Sequence, residues 1–216
     1  MCGRYQLRVD LDLLLYRYGI KGLDTEINYN GKNEIFPSYK VPAILKDKKK
    51  KIDFIKWGFP SEFSNSLIIN ARSETVDVKP TFKNSFINRR CLIPANSFYE
   101  WDKKGRKNEK YKIYLKDENI FSMAGIWSIF QDKEGRVFKA FTILTTSANK
   151  EMGNIHNRMP VIIPREKEEL WISDDIKDIK TIKELLNSFE GEIIIEKVVE
   201  DKQLTFDDFI NSKTRT

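Results

Sequence analysis

Short apolar runs punctuated by turn residues recur along the chain, and most follow the period-two alternation of half-buried strands rather than the 3.6-residue period of helices. Cys2 to Leu7 reads as a first strand, and Asp10 is placed to cap a helix from Leu11 to Tyr18 that Gly19 stops. Residues 20 to 38 read as polar loop. Val41 to Lys46 and Ile52 to Trp57 pattern as a hairpin around a lysine-rich tip, and Ile68 to Ala71 as a short buried strand. Thr81 to Asn88 reads as a helix. Strands are predicted at Cys91 to Ile93, Ser97 to Trp101, Tyr111 to Leu115, Phe121 to Ile129 and Phe138 to Thr145, with turns at Lys104-Gly105 and Glu134-Gly135. Glu166 to Ile172 and Thr181 to Phe189 look helical, and Glu192 to Val199 gives a last strand that pairs with an earlier one. Many strands and few helices predict an α+β fold, mainly an antiparallel sheet folded on itself with a few flanking helices.

Composition narrows the class. At 216 residues, 40% hydrophobic and 12% aromatic, the chain has material for a real core, and one domain over residues 1–216 is expected. No apolar run reaches membrane-span length and no leader-like segment opens the chain, so a cytoplasmic location is expected, nucleoid-associated on DNA, with no membrane partner. Cys2, Cys91 and His156 show none of the close pairs that hold zinc; no metal and no cofactor are expected. With 38 basic and 32 acidic residues the net charge is +6, a mild bias toward a polyanion. The run Lys46 to Lys51 reads as a solvated hairpin tip. Arg4, Arg72, Arg89, Arg90 and Arg158 carry more weight, because each lies in or beside a motif and arginine is the better fork for phosphate oxygens.

The candidate chemistry begins at residue 2. Removal of Met1 would leave Cys2 with two nucleophiles on adjacent carbons. Its α-amine, with a pKa near ~7.8, is about a quarter neutral at pH 7.4, against roughly 0.1% for a lysine. Such an amine attacks an aldehyde, and the neighbouring thiol can close on the imine to give a thiazolidine. The alternative is a small buried strand residue. Glu100, at the end of an aromatic strand, is either an acid or base costly to bury or an exposed edge-strand carboxylate. His156 is either a proton shuttle or a polar loop residue. Asn70 and Arg72 alternate along an extended segment and share a face, where amide and guanidinium could hold a sugar and its phosphate. Trp57, Phe59, Phe63, Trp101 and Trp127 could stack on bases; for any one of them core packing is the stronger reading.

Eight segments occur in the order of one family: Met-Cys-Gly-Arg-Tyr at the start, Trp57-Gly58-Phe59-Pro60, Ile69 to Thr75, Arg89 to Ala95, Phe98-Tyr99-Glu100-Trp101, Ala124-Gly125-Ile126-Trp127, Phe141 to Thr146 and His156-Asn157-Arg158-Met159-Pro160. Over residues 2 to about 164 the chain resembles the SRAP (SOS-response-associated peptidase) family. The resemblance implies a barrel-like α+β fold and a protein of the DNA damage response, whose shallow groove binds single-stranded DNA and sets the N-terminal cysteine against an abasic site. A thiazolidine DNA-protein crosslink then shields the lesion, through lyase-type Schiff-base chemistry. By motif, Cys2 is the nucleophile, Asn70 orients it and the sugar, Glu100 moves protons at the α-amine, and His156 assists ring opening or reversal. Arg4, Arg72 and Arg158 contact phosphates or structure, with Trp57 and Trp101 as stacking residues. The expected partner is single-stranded DNA containing abasic sites, bound by a monomer.

Two regions depart from the family. Where members usually carry Tyr-Asn-x-Ala-Pro, this chain has Asn33-Glu34-Ile35-Phe36-Pro37, a carboxylate in place of an amide beside the implied groove. The C-terminal segment lacks the usual ending and offers Glu192 to Val199 instead. Two other functions compete with crosslinking: a thiol peptidase using Cys2 with His156, and a nonenzymatic single-strand-binding module if Met1 is retained.

Overall fold

The computed structural model describes residues 2–22, 29–61, 64–102 and 109–199. In chain order the elements are β1 (Arg4–Leu7), α1 (Leu11–Tyr18), β2 (Lys32–Ile35), β3 (Lys40–Asp47), β4 (Lys49–Trp57), β5 (Phe59–Pro60), β6 (Leu67–Ile68) and β7 (Asn70–Arg72). They continue with α2 (Pro80–Asn88), β8 (Arg90–Ala95), β9 (Ser97–Asp102), β10 (Glu109–Leu115), β11 (Phe121–Gln131) and β12 (Val137–Ser147). The last are β13 (Arg158–Pro160), β14 (Ile162–Ile163), α3 (Glu168–Trp171), α4 (Ile179–Lys183) and β15 (Ile193–Lys197).

Five strands close on themselves in the order β12-β4-β3-β8-β11, because β11 also pairs with β12. Closure removes the open edges that a flat sheet would leave. Most pairings are antiparallel; the parallel exceptions are β4 and β7, both laid along β12. Phe141 faces Trp57, and two residues further on Ile143 faces Asn70. The backbone continues that line: Gly58 N–H donates to Phe141 O at 2.7 Å, and Ser73 N–H to Thr145 O at 2.9 Å. A second sheet, β15-β10-β9-β1-β2, shares one hydrophobic core with the barrel. The mainly antiparallel α+β architecture is the one the alternation implied, and its closed β-barrel core is the one the family resemblance implied.

Local physics explains the best-predicted elements. Asp10 Oδ1 accepts from Leu13 N–H at 2.8 Å, and Gly19 takes the left-handed conformation (φ 63°) that ends α1 and caps its last carbonyls. Leu11, Leu14 and Tyr18, spaced along one helix face, are buried. Gly125 lies opposite Cys91 in the β8–β11 ladder, where a Cβ would come within 2.8 Å of the Cys91 thiol.

Several boundaries differ from the sequence reading. The first strand begins at Arg4 rather than Cys2, and the segment 20–38, read as loop, contains β2. The short strand at 68–71 is two strands, and the second C-terminal helix covers only Ile179–Lys183. The lysine run is the hairpin tip that the sequence pattern predicts. Its members are paired in β3 and β4 around a single left-handed Lys48 (φ 56°), and Lys50 pairs with Glu169. The turn expected at Lys104-Gly105 lies outside the described residues.

Arg90, read from sequence as a candidate phosphate fork, is buried. Its guanidinium donates to the carbonyls of Phe86 (3.0 Å), Ile87 (2.6 Å), Trp171 (2.6 Å), Ser173 (2.5 Å) and Ile176 (2.9 Å). It therefore ties α2 and the segment after α3 to the barrel. Arg90→Met should destabilise the protein by about 3 kcal/mol or more, since each buried carbonyl left unmatched costs about 1–3 kcal/mol. Urea unfolding reads this directly, and a midpoint shift worth less than about 1 kcal/mol would contradict the tie.

Candidate active site

The N-terminal end of β1 meets three other elements. Arg4 faces Tyr99 in the β1–β9 ladder, which carries the preceding residues toward Glu100 and Trp101. Cys2 is fully buried, and Asn70 Nδ2 donates to its carbonyl at 2.9 Å. That bond reaches across 68 positions of sequence and exists because β7 is seated on β12. The Cys2 thiol points to the Arg4 carbonyl at 3.7 Å. Burial pushes its pKa far above the ordinary thiol range, and the nearby Glu100 carboxylate pushes in the same direction. At neutral pH this sulfur is a thiol, not a thiolate. Glu100 is itself buried on β9, so the exposed-edge reading does not hold. Asn70 Oδ1 is buried and accepts no hydrogen bond among the described residues.

A second cluster flanks the first. Arg158 donates to both carboxylate oxygens of Glu74, at 2.9 Å for one arm, and to Thr145 O at 2.5 Å and Thr145 Oγ1 at 3.3 Å. The ion pair holds the Glu74 carboxyl below its usual range. Arg158 N–H donates to His156 Nδ1 at 3.0 Å. The neutral imidazole therefore carries its proton on Nε2. Arg72, two residues beyond Asn70 on β7, is exposed and makes no ion pair among the described residues. The β7 strand thus joins the Cys2, Asn70 and Glu100 group to the Arg72, Arg158 and His156 group.

The aromatic assignments divide. Trp57 is wholly buried, its indole N–H donating to Ile69 O at 3.0 Å, its ring stacked on Phe141 and edge-on to Tyr5. It cannot stack on a base and belongs to the core, as does Phe59. Trp127 is half-buried under Arg89 and Lys139, and Phe63 lies outside the described residues. Trp101 is half-buried with the Arg4 guanidinium 5.1 Å over its ring. Arg4 also lies 4.1 Å over Phe36 and pairs with Glu34 at 3.0 Å. Sequence reasoning passed over Lys110 and Thr145. Lys110 stands opposite Trp101 in the β9–β10 ladder and pairs with Glu34, a placement that only the register reveals.

Comparison with known proteins shows the family. The family model for SOS response associated peptidase (SRAP) matches residues 1–202. The chain belongs to the SRAP family. It is 32% identical over 199 residues to "Abasic site processing protein YoqW" of Bacillus subtilis, covering 89% of each chain. It is 29% identical over 185 residues to "Abasic site processing protein YedK" of Escherichia coli, covering 82% of this chain and 81% of that one. A crystal structure of a Bacteroides thetaiotaomicron protein superposes with a TM-score of 0.80 at 25% identity, covering 96% of both chains. The SRAP match extends past residue 164 into the C-terminal segment that appeared unmarked in sequence.

The buried thiol sets a pH expectation. The folded state holds the Cys2 proton above the point, near pH ~8.5, at which an unfolded cysteine releases it. The stabilisation is therefore complete below about pH 8.5 and is lost as pH rises beyond it, with Cys91 acting in the same sense. Iodoacetamide labelling of Cys2, followed by peptide mass, should be slow and still accelerating at about pH 10. A rate that levels off near pH 9 would show an ordinary, accessible thiol.

Proposed function

We propose that this SRAP protein processes abasic sites in single-stranded DNA, and that it does so by covalent capture through Cys2 once Met1 is removed. The observation that carries the reading is the hydrogen bond from Asn70 to the Cys2 carbonyl, which fixes residue 2 beside the buried Glu100. The names of the relatives, which are abasic site processing proteins, support the same substrate. The protein works as a monomer in the cytoplasm, on DNA, with no cofactor.

The chemistry follows from the protonation states. With the thiol held neutral, the α-amine is the first nucleophile. It attacks the C1′ aldehyde of the ring-opened sugar to give a carbinolamine, and Glu100 takes up the ammonium proton and returns it as water leaves. The product is an imine. Cys2 Sγ then adds to C1′ and its proton passes to the nitrogen, closing the thiazolidine. One water is released and no oxidant is needed. His156, with Nδ1 occupied, uses Nε2 to exchange a proton with the sugar ring oxygen during opening. Asn70 Oδ1 is an acceptor in reserve for the free amine or a sugar hydroxyl. Arg72 and Arg158 contact backbone phosphates. A thiol peptidase would need a thiolate, which the burial of Cys2 opposes.

With a single strand carrying one abasic site, the protein lacking Met1 should form a heat-stable adduct that Cys2→Ala abolishes. Glu100→Gln and His156→Ala should slow single-turnover crosslinking by about 10²–10⁴-fold while reaching similar final yields, because Cys2 still supplies both nucleophiles. An adduct that survives Cys2→Ala, or wild-type rates in both other variants, would contradict these assignments.

A further inference from the structure

Three strands converge on one carboxylate on β2. Glu34 on β2 receives Arg4 Nη1 from β1 on one oxygen and Lys110 Nζ from β10 on the other. The cations are held in place by aromatic rings: Arg4 between Phe36 and Trp101, and Lys110 over Tyr99 at 4.5 Å and Trp101 at 5.8 Å. We propose that Arg4 and Lys110 form a phosphodiester subsite for the strand on which Cys2 acts, and that Glu34 is its built-in competitor, occupying the subsite in the free protein and yielding it to a DNA phosphate. The inference rests on the reading of Cys2 as a DNA-directed nucleophile.

Several observations support it. A phosphodiester presents two anionic oxygens, as the Glu34 carboxylate does, so one can replace the other without rebuilding the cation pair. Two cations against one carboxylate leave a net charge of +1 with Glu34 in place. Glu34 engages Arg4 through Nη1 alone, a single-arm contact rather than a two-armed fork. The cluster is reachable: the side chains of Arg4 and Glu34 are each 29% exposed, and Lys110 is 12% exposed. Arg4 lies two residues from Cys2 on the same segment, and its backbone carbonyl accepts the Cys2 thiol at 3.7 Å, so the subsite is carried by the segment that holds Cys2. Glu34 would then tax every strand, damaged or not, and covalent capture at Cys2 would favour the damaged one.

The test uses a fluorescein-labelled oligothymidylate without lesions, with binding read by anisotropy. Glu34→Gln should tighten binding by about 2–5-fold, the range expected for partly exposed ion pairs. Lys110→Gln should weaken binding by a similar factor and cancel the gain when combined with Glu34→Gln. Unchanged or weaker binding in Glu34→Gln overturns the proposal. If that variant fails to fold, as judged by circular dichroism, Lys110→Gln carries the test, and wild-type affinity there overturns it. Adduct yield on an abasic strand reports separately on Cys2. Adduct with no affinity change in Glu34→Gln removes the subsite and keeps the Cys2 reading. Tighter binding with no adduct removes that reading and keeps the subsite.

Discussion

The hydrogen bond from Asn70 to the Cys2 carbonyl fixes the segment before β1 against the barrel. Terminal residues ordinarily fray, because few contacts offset the entropy of holding them. Here residue 2 is buried and its carbonyl is pinned by a side chain from a strand 68 positions away. That strand is held by its parallel pairing to β12, and β12 is held by barrel closure. The placement of the nucleophile is thus a consequence of long-range topology, and any change that loosens the β7–β12 seam acts on Cys2.

Burial of Cys2 has a chemical cost and a chemical benefit. Desolvation silences the thiol as a free nucleophile and protects it from oxidation or alkylation. In the proposed mechanism the sulfur acts only once an electrophilic carbon is held beside it, at ring closure. Around this centre the arginines are committed rather than idle. Arg158 is locked to Glu74 and Thr145, Arg4 is stacked and paired, and Arg90 is structural, while Arg72 on β7 is exposed. Under the proposed function, a strand would bind by exchanging partners at some of these groups.

Much of the fold was legible where the information is local. The Asp10 cap, the Gly19 stop and the alternation in β11 and β12 each rest on a few neighbouring residues. What escaped depends on register and closure. Trp57 sits in a motif and carries a ring suited to stacking, yet the β4–β12 pairing turns it inward onto Phe141, and nothing local distinguishes the two fates. Asn70 and Glu100 were legible as candidates from local pattern, whereas their meeting at Cys2 was implied only by the family resemblance, since it requires segments from two sheets. Glu34 stood out in sequence as an acidic residue in an unexpected place; that it bridges Arg4 and Lys110 follows only from the β1–β2 and β9–β10 ladders.

The central claim, that both nucleophiles of residue 2 end on one sugar carbon, is tested most directly by mass spectrometry of the adduct after nuclease and trypsin digestion. The account predicts a sugar remnant on the peptide that begins at Cys2, added with loss of one water, with a thiol that resists alkylation and an α-amine that resists acylation. A remnant on a lysine-containing peptide, or on a Cys2 peptide that still carries Met1 or an alkylatable thiol, would contradict it.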